Sequence, residues 1–184
     1  MDNKIVAVVG MCGAGKTEVT ETLVNRGFNK IYFGAVTFDE LKKRNLPTNW
    51  ENEKKIREEF RSTGDMAIYA KLNENKIKEA YDKGNVVIES LYSWSEYKYL
   101  KNIYKDNIEL ICVVTDKELR IERLSIREIR PMLRDDVETR DISEIENLEK
   151  GGPIAYADYF ILNNGTKEEL IKNTNKIIDK ILSK

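Results

Sequence analysis

Short apolar, β-branched runs recur along the chain, separated by longer stretches in which apolar residues return every three or four positions. Runs of this kind lie at Ile5–Val9, 30–33, 86–88, 110–114 and Tyr159–Leu162. A strand that is apolar on both faces belongs in a parallel sheet covered by helices on both sides. The stretches between them carry helical spacing. Residues 17–26 are followed by Gly27 in the position of a C-terminal glycine, and residues 66–83 run from Asp65, a candidate N-cap, to Gly84. Residues 167–183 place Leu170, Ile177, Ile178, Ile181 and Leu182 on one face. The Ser/Thr-x-x-Glu capping pattern occurs at Thr37/Glu40, Thr48/Glu51, Ser93/Glu96, Thr115/Glu118 and Thr166/Glu169, each where the apolar spacing turns helical. The same pattern inside helical segments, at Ser125/Glu128 and Ser143/Glu146, shows that coincidence with a boundary carries the weight. The order that results is β-α-β-α-α-α-β-α-β-α-α-β-α, an α/β fold with a roughly five-stranded parallel sheet. Pro47, Pro131 and Pro153 all fall where a helix would break.

The turn after the first run reads Gly10-Met11-Cys12-Gly13-Ala14-Gly15-Lys16-Thr17 and fills every fixed position of G-x-x-x-x-G-K-[ST]. Its context is a strand before and a helix after. Phosphates need dense donors at short range, and glycines let backbone N–H groups turn toward them without Cβ clashes. The helix N-terminus adds unpaired N–H groups and a positive dipole end. Lys16 is then placed to reach the β- and γ-phosphates, and the Thr17 hydroxyl to bind Mg²⁺. Cys12 inside the loop reads as filler or as a thiol whose reactivity the helix N-terminus tunes; Cys112 reads as core.

Composition narrows the chemistry. The chain has 184 residues, 41% hydrophobic, which suits one domain over residues 1–184. Its 31 Lys and Arg against 32 Asp and Glu give a net charge of −1, which argues against nucleic-acid or membrane partners. There is no histidine, so His-based triads, His-ligated zinc and imidazole switches are excluded. Two cysteines and no apolar run long enough for a signal segment or a membrane span fit a soluble cytoplasmic protein.

Cations and acids beyond the loop supply candidate chemistry. Arg120, Arg123, Arg127 and Arg130 are spaced 3, 4 and 3 apart, one stripe on a helix, with Arg134 and Arg140 beyond Pro131. Guanidinium forks complement the charge that spreads over a transferring phosphoryl group. An arginine-rich lid over residues 118–152 would also exclude water. Glu89 ends the third strand, where doubly wound sheets place ligands, and reads as a magnesium ligand or a proton acceptor. An insert over residues 35–84 is long for a crossover and offers Asp39, Arg57 and Arg61 to an acceptor.

With these residues the chain resembles the P-loop nucleoside and nucleotide kinases, nearest to dephospho-CoA kinases and adenylate-kinase-like proteins, over nearly its whole length. Arg123-Leu124-Ser125-Ile126-Arg127 resembles the start of their lid, and Arg140, followed by Glu144, a second lid arginine. Residues 157–165, Ala-Asp-Tyr-Phe-Ile-Leu-Asn-Asn-Gly, resemble their closing strand and loop. The resemblance implies a P-loop NTPase three-layer fold and ATP and Mg²⁺ as cofactors. It also implies roles for Lys16, Glu89, Arg127 and Arg140 in catalysis, and for Arg123, Asn163 and Gly165 beside Gly10, Cys12, Gly13, Ala14 and Gly15 at the nucleotide. The chain departs from the family on the acceptor side. Glu89 stands for the usual Asp, Ala35 follows Gly34 where an acid is frequent, and Tyr92 stands where the adenylate-kinase-like group has an arginine.

Two classes of function follow. One is an ATP-dependent phosphotransferase acting on a nucleotide-like small molecule. A hydroxyl acceptor would draw on Glu89 or Asp39, and a phosphate acceptor on Arg57 or Arg61; the sequence offers both sets. The other is a nucleotide-binding switch that hydrolyses ATP slowly. Nothing in the sequence fixes the oligomeric state.

Overall fold

The computed structural model describes residues 2–128 and 130–184. Five parallel strands form one sheet in the order β2-β3-β1-β4-β5. They are β1 (Ile5–Val9), β2 (Asn29–Tyr32), β3 (Val86–Glu89), β4 (Ile108–Val114) and β5 (Tyr159–Leu162). The order reverses direction around β1, so the turn after β1 opens at the crevice where such sheets take ligands. Register sets Val8 beside Glu89 on one side and beside Ile111 on the other. The C-terminal end of β3 therefore lies next to the glycine turn.

The alternation of side chains along β1 divides the core. Ile5, Ala7 and Val9 pack with Phe33, Tyr69, Ile77 and Leu100 on one face of the sheet. That face is covered by α2 (Ala35–Lys43), α4 (Ile68–Lys83) and α5 (Trp94–Tyr104). Val6 and Val8 pack on the other face with Val19 and Leu23 of α1 (Lys16–Asn25) and with Leu170, Ile178 and Ile181 of α9 (Lys167–Leu182). A third cluster, Cys12, Ile121, Leu124 and Val137, fastens α6 (Lys117–Ser125) and α7 (Arg134–Leu148) to the glycine turn. The remaining helices are α3 (Trp50–Arg61), on the side of α2, and the short α8 (Gly151–Ala155).

Local signals at the boundaries hold in part. Ser93/Glu96 and Thr166/Glu169 form reciprocal capping boxes at α5 and α9. At α3 the cap is Asn49, one residue past Thr48. Thr37 lies inside α2 and bonds the Tyr69 hydroxyl at 2.8 Å. Thr115 precedes α6 but donates to the carbonyls of Ala14 (3.0 Å) and Asn163 (3.2 Å). Tertiary partners took those two hydroxyls from the local pattern. Between β4 and β5 the chain makes three helices where two are expected, because Glu149, at φ 52°, ends α7 before α8 begins.

The expected arginine stripe does not form as one helix. α6 stops at Ser125, and Arg130 has a left-handed φ of 56° just before Pro131. Arg120 and Arg123 are helical, whereas Arg127 and Arg130 lie in the connection to α7.

Candidate active site

The turn from Gly10 to Gly15 has the conformation that its glycines permit. Gly10, Gly13 and Gly15 take φ values of 137°, 79° and 99°. A Cβ on Gly10 would stand 2.4 Å from the Val113 carbonyl oxygen, and one on Gly15 would stand 2.3 Å from the Asn163 side-chain nitrogen. Both positions exclude larger residues by space as well as by dihedral angle. Gly15 caps α1 and offers no side chain to its first turn. The opening N–H groups of α1, from Lys16 on, therefore have no side-chain acceptor at the cap and no earlier helical carbonyl. A cradle with these free donors at a helix N-terminus fits polyphosphate.

The carbonyls of the same turn are occupied. Arg120 donates to the Cys12 carbonyl at 2.9 Å and grips Asp141 of α7 through two bonds of 3.2 and 2.6 Å. Asn163, after β5, donates its side-chain N–H to the Ala14 carbonyl at 2.8 Å. Arg123 donates in turn to the Asn163 carbonyl at 3.0 Å. Lys16 reaches back to the Met11 carbonyl at 2.8 Å. Arg120, Arg123 and Asn163 thus hold the turn from outside.

A cation cluster stands beside Lys16. Arg140 on α7 bonds Glu144, one helical turn on, at 2.8 Å, and Glu144 also takes Lys150. Glu144 and Lys150 are both buried. Lys150 lies 4.6 Å above the Tyr92 ring. Burial, then the positive charges of Lys150 and Arg140, lower the Lys16 ammonium to about 8. Burial alone would raise the Glu144 carboxyl, but Lys150 and Arg140 outweigh it and hold that group below the ordinary carboxylate range.

The other sequence candidates are placed as follows. Glu89 is at the end of β3 next to the turn, with its carboxylate 2.8 Å from Lys30. Thr17 is exposed on the first turn of α1. Arg57 and Arg130 converge on Glu53, a carboxylate only 2% exposed, at 3.2 and 2.9 Å. Arg130 thereby ties the connection before α7 to α3. Arg61 stacks 4.6 Å over Tyr69. Asp39 points away from these groups and pairs with Lys76, at 65% side-chain exposure. Arg127 is exposed and donates to the Arg130 carbonyl. Gly165 lies with Asn163 and Asn164 along a groove of about 430 Å³ that continues to Lys176 of α9.

The sequence did not single out Lys150, the meeting of Arg130 with Glu53 or the carbonyl-holding role of Arg120. The i, i+4 spacings of Arg57 with Glu53 and of Arg140 with Glu144 were visible, whereas the Arg130–Glu53, Arg120–Cys12 and Lys150–Tyr92 contacts join separate elements. Among the described residues no group of three or more Cys, Asp or Glu is arranged to hold a metal, and no helix is long and apolar enough to cross a membrane.

Residues 6–151 match a family model described as an AAA domain. The UPF0200 protein of Thermococcus kodakarensis is 35% identical, across 98% of this chain and 99% of its own length. Among solved structures, the shikimate kinase of Acinetobacter baumannii in complex with shikimate superposes with a TM-score of 0.59 at 20% identity, covering 98% of this chain and 94% of that one. The dephospho-CoA kinase of Campylobacter jejuni does so with a TM-score of 0.57 at 18% identity, covering 97% of each. The parallel sheet, the glycine turn at its crevice and these matches agree: the fold is that of the P-loop kinases, and the chain belongs to the AAA domain family and with the UPF0200 proteins.

Proposed function

We propose that the protein is an ATP-dependent small-molecule kinase that transfers the γ-phosphoryl group of Mg-ATP to a nucleotide-like acceptor, dephospho-CoA-like or a nucleoside monophosphate. The observation that carries this reading is a glycine cradle at a helix N-terminus with Lys16 at its end, beside a buried carboxylate, Glu144, that Arg140 and Lys150 share. Such a surplus of positive charge suits phosphoryl oxygens. Bound Mg-ATP would supply the phosphoryl group and the metal's Lewis acidity. Gly10 to Thr17 would hold the phosphates, the Thr17 hydroxyl and Glu89 the metal, and Gly165 with its neighbours the base.

Residues 35–84 would take the acceptor and residues 118–152 would close over it. Glu89 is the carboxylate nearest this role for a hydroxyl acceptor, because Asp39 is turned to Lys76. Arg57 and Arg61 remain the cations for a phosphate acceptor. The Arg130–Glu53 bridge would register closure by joining the lid segment to α3. Closure of that kind excludes water and favours transfer over hydrolysis.

The test is phosphate transfer from Mg-ATP across a panel of dephospho-CoA, nucleosides and nucleoside monophosphates. The expected result is one preferred acceptor class and loss of turnover in Lys16→Ala. Normal turnover in Lys16→Ala, or ATP hydrolysis that no acceptor alters, would overturn the reading.

A further inference from the structure

We propose that Lys150 is a phosphate-binding residue of this site, a buried cation delivered by the α7–α8 turn to the oxygens at the γ end of the nucleotide. The inference rests on reading the glycine turn as a nucleotide site. It goes further by assigning a residue that neither the loop motif nor the arginine spacing contains.

Three observations carry it. The first is charge. Lys150 exposes only 3% of its side chain, and the acid it touches, Glu144, is already engaged by Arg140. A buried lysine kept only for packing needs one carboxylate of its own, and a shared one leaves positive charge unmatched. Lys16, whose charge is felt by the same groups, spends its described hydrogen bond on the main-chain carbonyl of Met11. Two cations therefore share one carboxylate, and Arg140 touches Met132, which packs against the cluster that includes Cys12 of the glycine turn; with Lys16 nearby, this is the arrangement expected where a multiply charged anion completes the site.

The second is donor capacity. An ammonium has three N–H donors. One goes to Glu144, and the ring of Tyr92 lies beneath the group at 4.6 Å. A donor is left for a ligand oxygen without breaking the pair with Glu144.

The third is fixation. The residues flanking Lys150 are anchored to the start of α5. The Glu149 carboxylate accepts from the Ser95 backbone N–H at 2.9 Å and its hydroxyl at 2.7 Å. The Trp94 N–H donates to the Glu149 carbonyl at 3.2 Å. Gly152 packs so closely on Trp94 that a Cβ there would stand 2.7 Å from it. Contacts on both sides of one lysine hold its backbone, as preorganised electrostatic groups require. Tyr92 follows the end of β3, which the register sets beside the end of β1, so Lys150 lies over the segment that leaves that strand end.

The experiment is calorimetric titration of Mg-ATP and Mg-ADP into the native protein, Lys150→Met and Lys150→Gln, with a thermal melt of each. Lys150→Gln keeps a donor to Glu144 and guards against a fold lost in Lys150→Met. The expected result is an ATP-to-ADP affinity ratio lowered about tenfold or more in the folded variants, with ADP affinity within twofold of native. A ratio unchanged in a folded variant, whatever its melting temperature, would overturn the assignment and leave the nucleotide site standing. A native protein that binds neither nucleotide would overturn the site itself.

Discussion

Replacing Glu96 with Gln should stabilise the protein at pH 8 and do much less at pH 5. Glu96 is 1% exposed and caps α5, accepting the backbone N–H groups of Tyr92 at 2.8 Å and Ser93 at 3.0 Å. Those bonds and Arg61 favour the carboxylate, but burial dominates and pushes the carboxyl up from 4.5 to about 7. Between those two values the folded protein keeps a proton that the unfolded chain has released. Stability therefore falls as pH rises through that window and levels off above it. At 1.36 kcal/mol per pH unit the full penalty is on the order of 3 kcal/mol, and about 2 kcal/mol of it develops between pH 5 and pH 8. Gln keeps an acceptor oxygen for the same two N–H groups and carries no charge to desolvate. Its bonds are weaker than those of a carboxylate, which trims the gain. The assay is urea unfolding followed by circular dichroism, native against variant, at both pH values. Taking the difference cancels the other titrating groups. If the variant gains nothing on the native protein between pH 5 and pH 8, burial does not govern this carboxyl and the reasoning fails.

Three further outcomes follow from the site. Gly15→Ala forces a left-handed φ on a β-carbon and displaces Asn163 from the Ala14 carbonyl, so a loss of roughly 2–4 kcal/mol in thermal unfolding should accompany weaker nucleotide binding. Arg120→Met strands the buried Asp141 and should cost about 3–5 kcal/mol, much of it recovered in the double variant with Asp141→Leu; a double variant as unstable as the single would refute the pair as the cause. With Lys16 lowered to about 8, its positive charge is present below that pH and lost above it, so Mg-ATP affinity measured from pH 6.5 to 9.5 should decline past pH 8, and an unchanged affinity would show that Lys16 does not bind phosphate.

The parts of the site legible in the sequence are those written in consecutive residues. The glycine turn needs only local dihedral freedom and a helix start, so eight residues specify it. The ends of β1 and β5 also coincide with their apolar runs, whereas β2, led by Asn29 and Lys30, begins one residue earlier than its apolar part suggests. Spacing failed where a turn interrupts a helix in phase with it. The step from Arg123 to Arg127 is one helical turn in sequence, yet α6 ends between them at Ser125. Thr115 shows the other limit. Its capping pattern falls one residue before the actual N-cap, Asp116, and its hydroxyl serves the Ala14 carbonyl, 101 residues away in the chain. Lys150 depends on Glu144, Tyr92 and Trp94, which three separate elements bring together, and no window of sequence contains that arrangement.

The residues that hold the glycine turn also explain why so many cations near it need not touch phosphate. A turn that presents N–H groups inward must dispose of its carbonyls elsewhere, and each unpaired one would be costly where water is excluded. Here Lys16, Arg120 and Asn163 take the carbonyls of Met11, Cys12 and Ala14, with Thr115 as a second donor to the last. Arg120 reaches this position from α6 and is fixed by Asp141 of α7, while Asn163 reaches it from the end of β5 and is backed by Arg123. The cradle is thus braced by the segments after β4 and β5 before any ligand contributes. A guanidinium spent on a main-chain carbonyl lowers the cost of ordering the loop, whereas one aimed at the pocket adds charge to it. By that division Arg120 and Arg123 shape the cradle, whereas Arg140 and Lys150, bonded to Glu144 and to no carbonyl of the turn among the described contacts, are the cations left to add charge beside it.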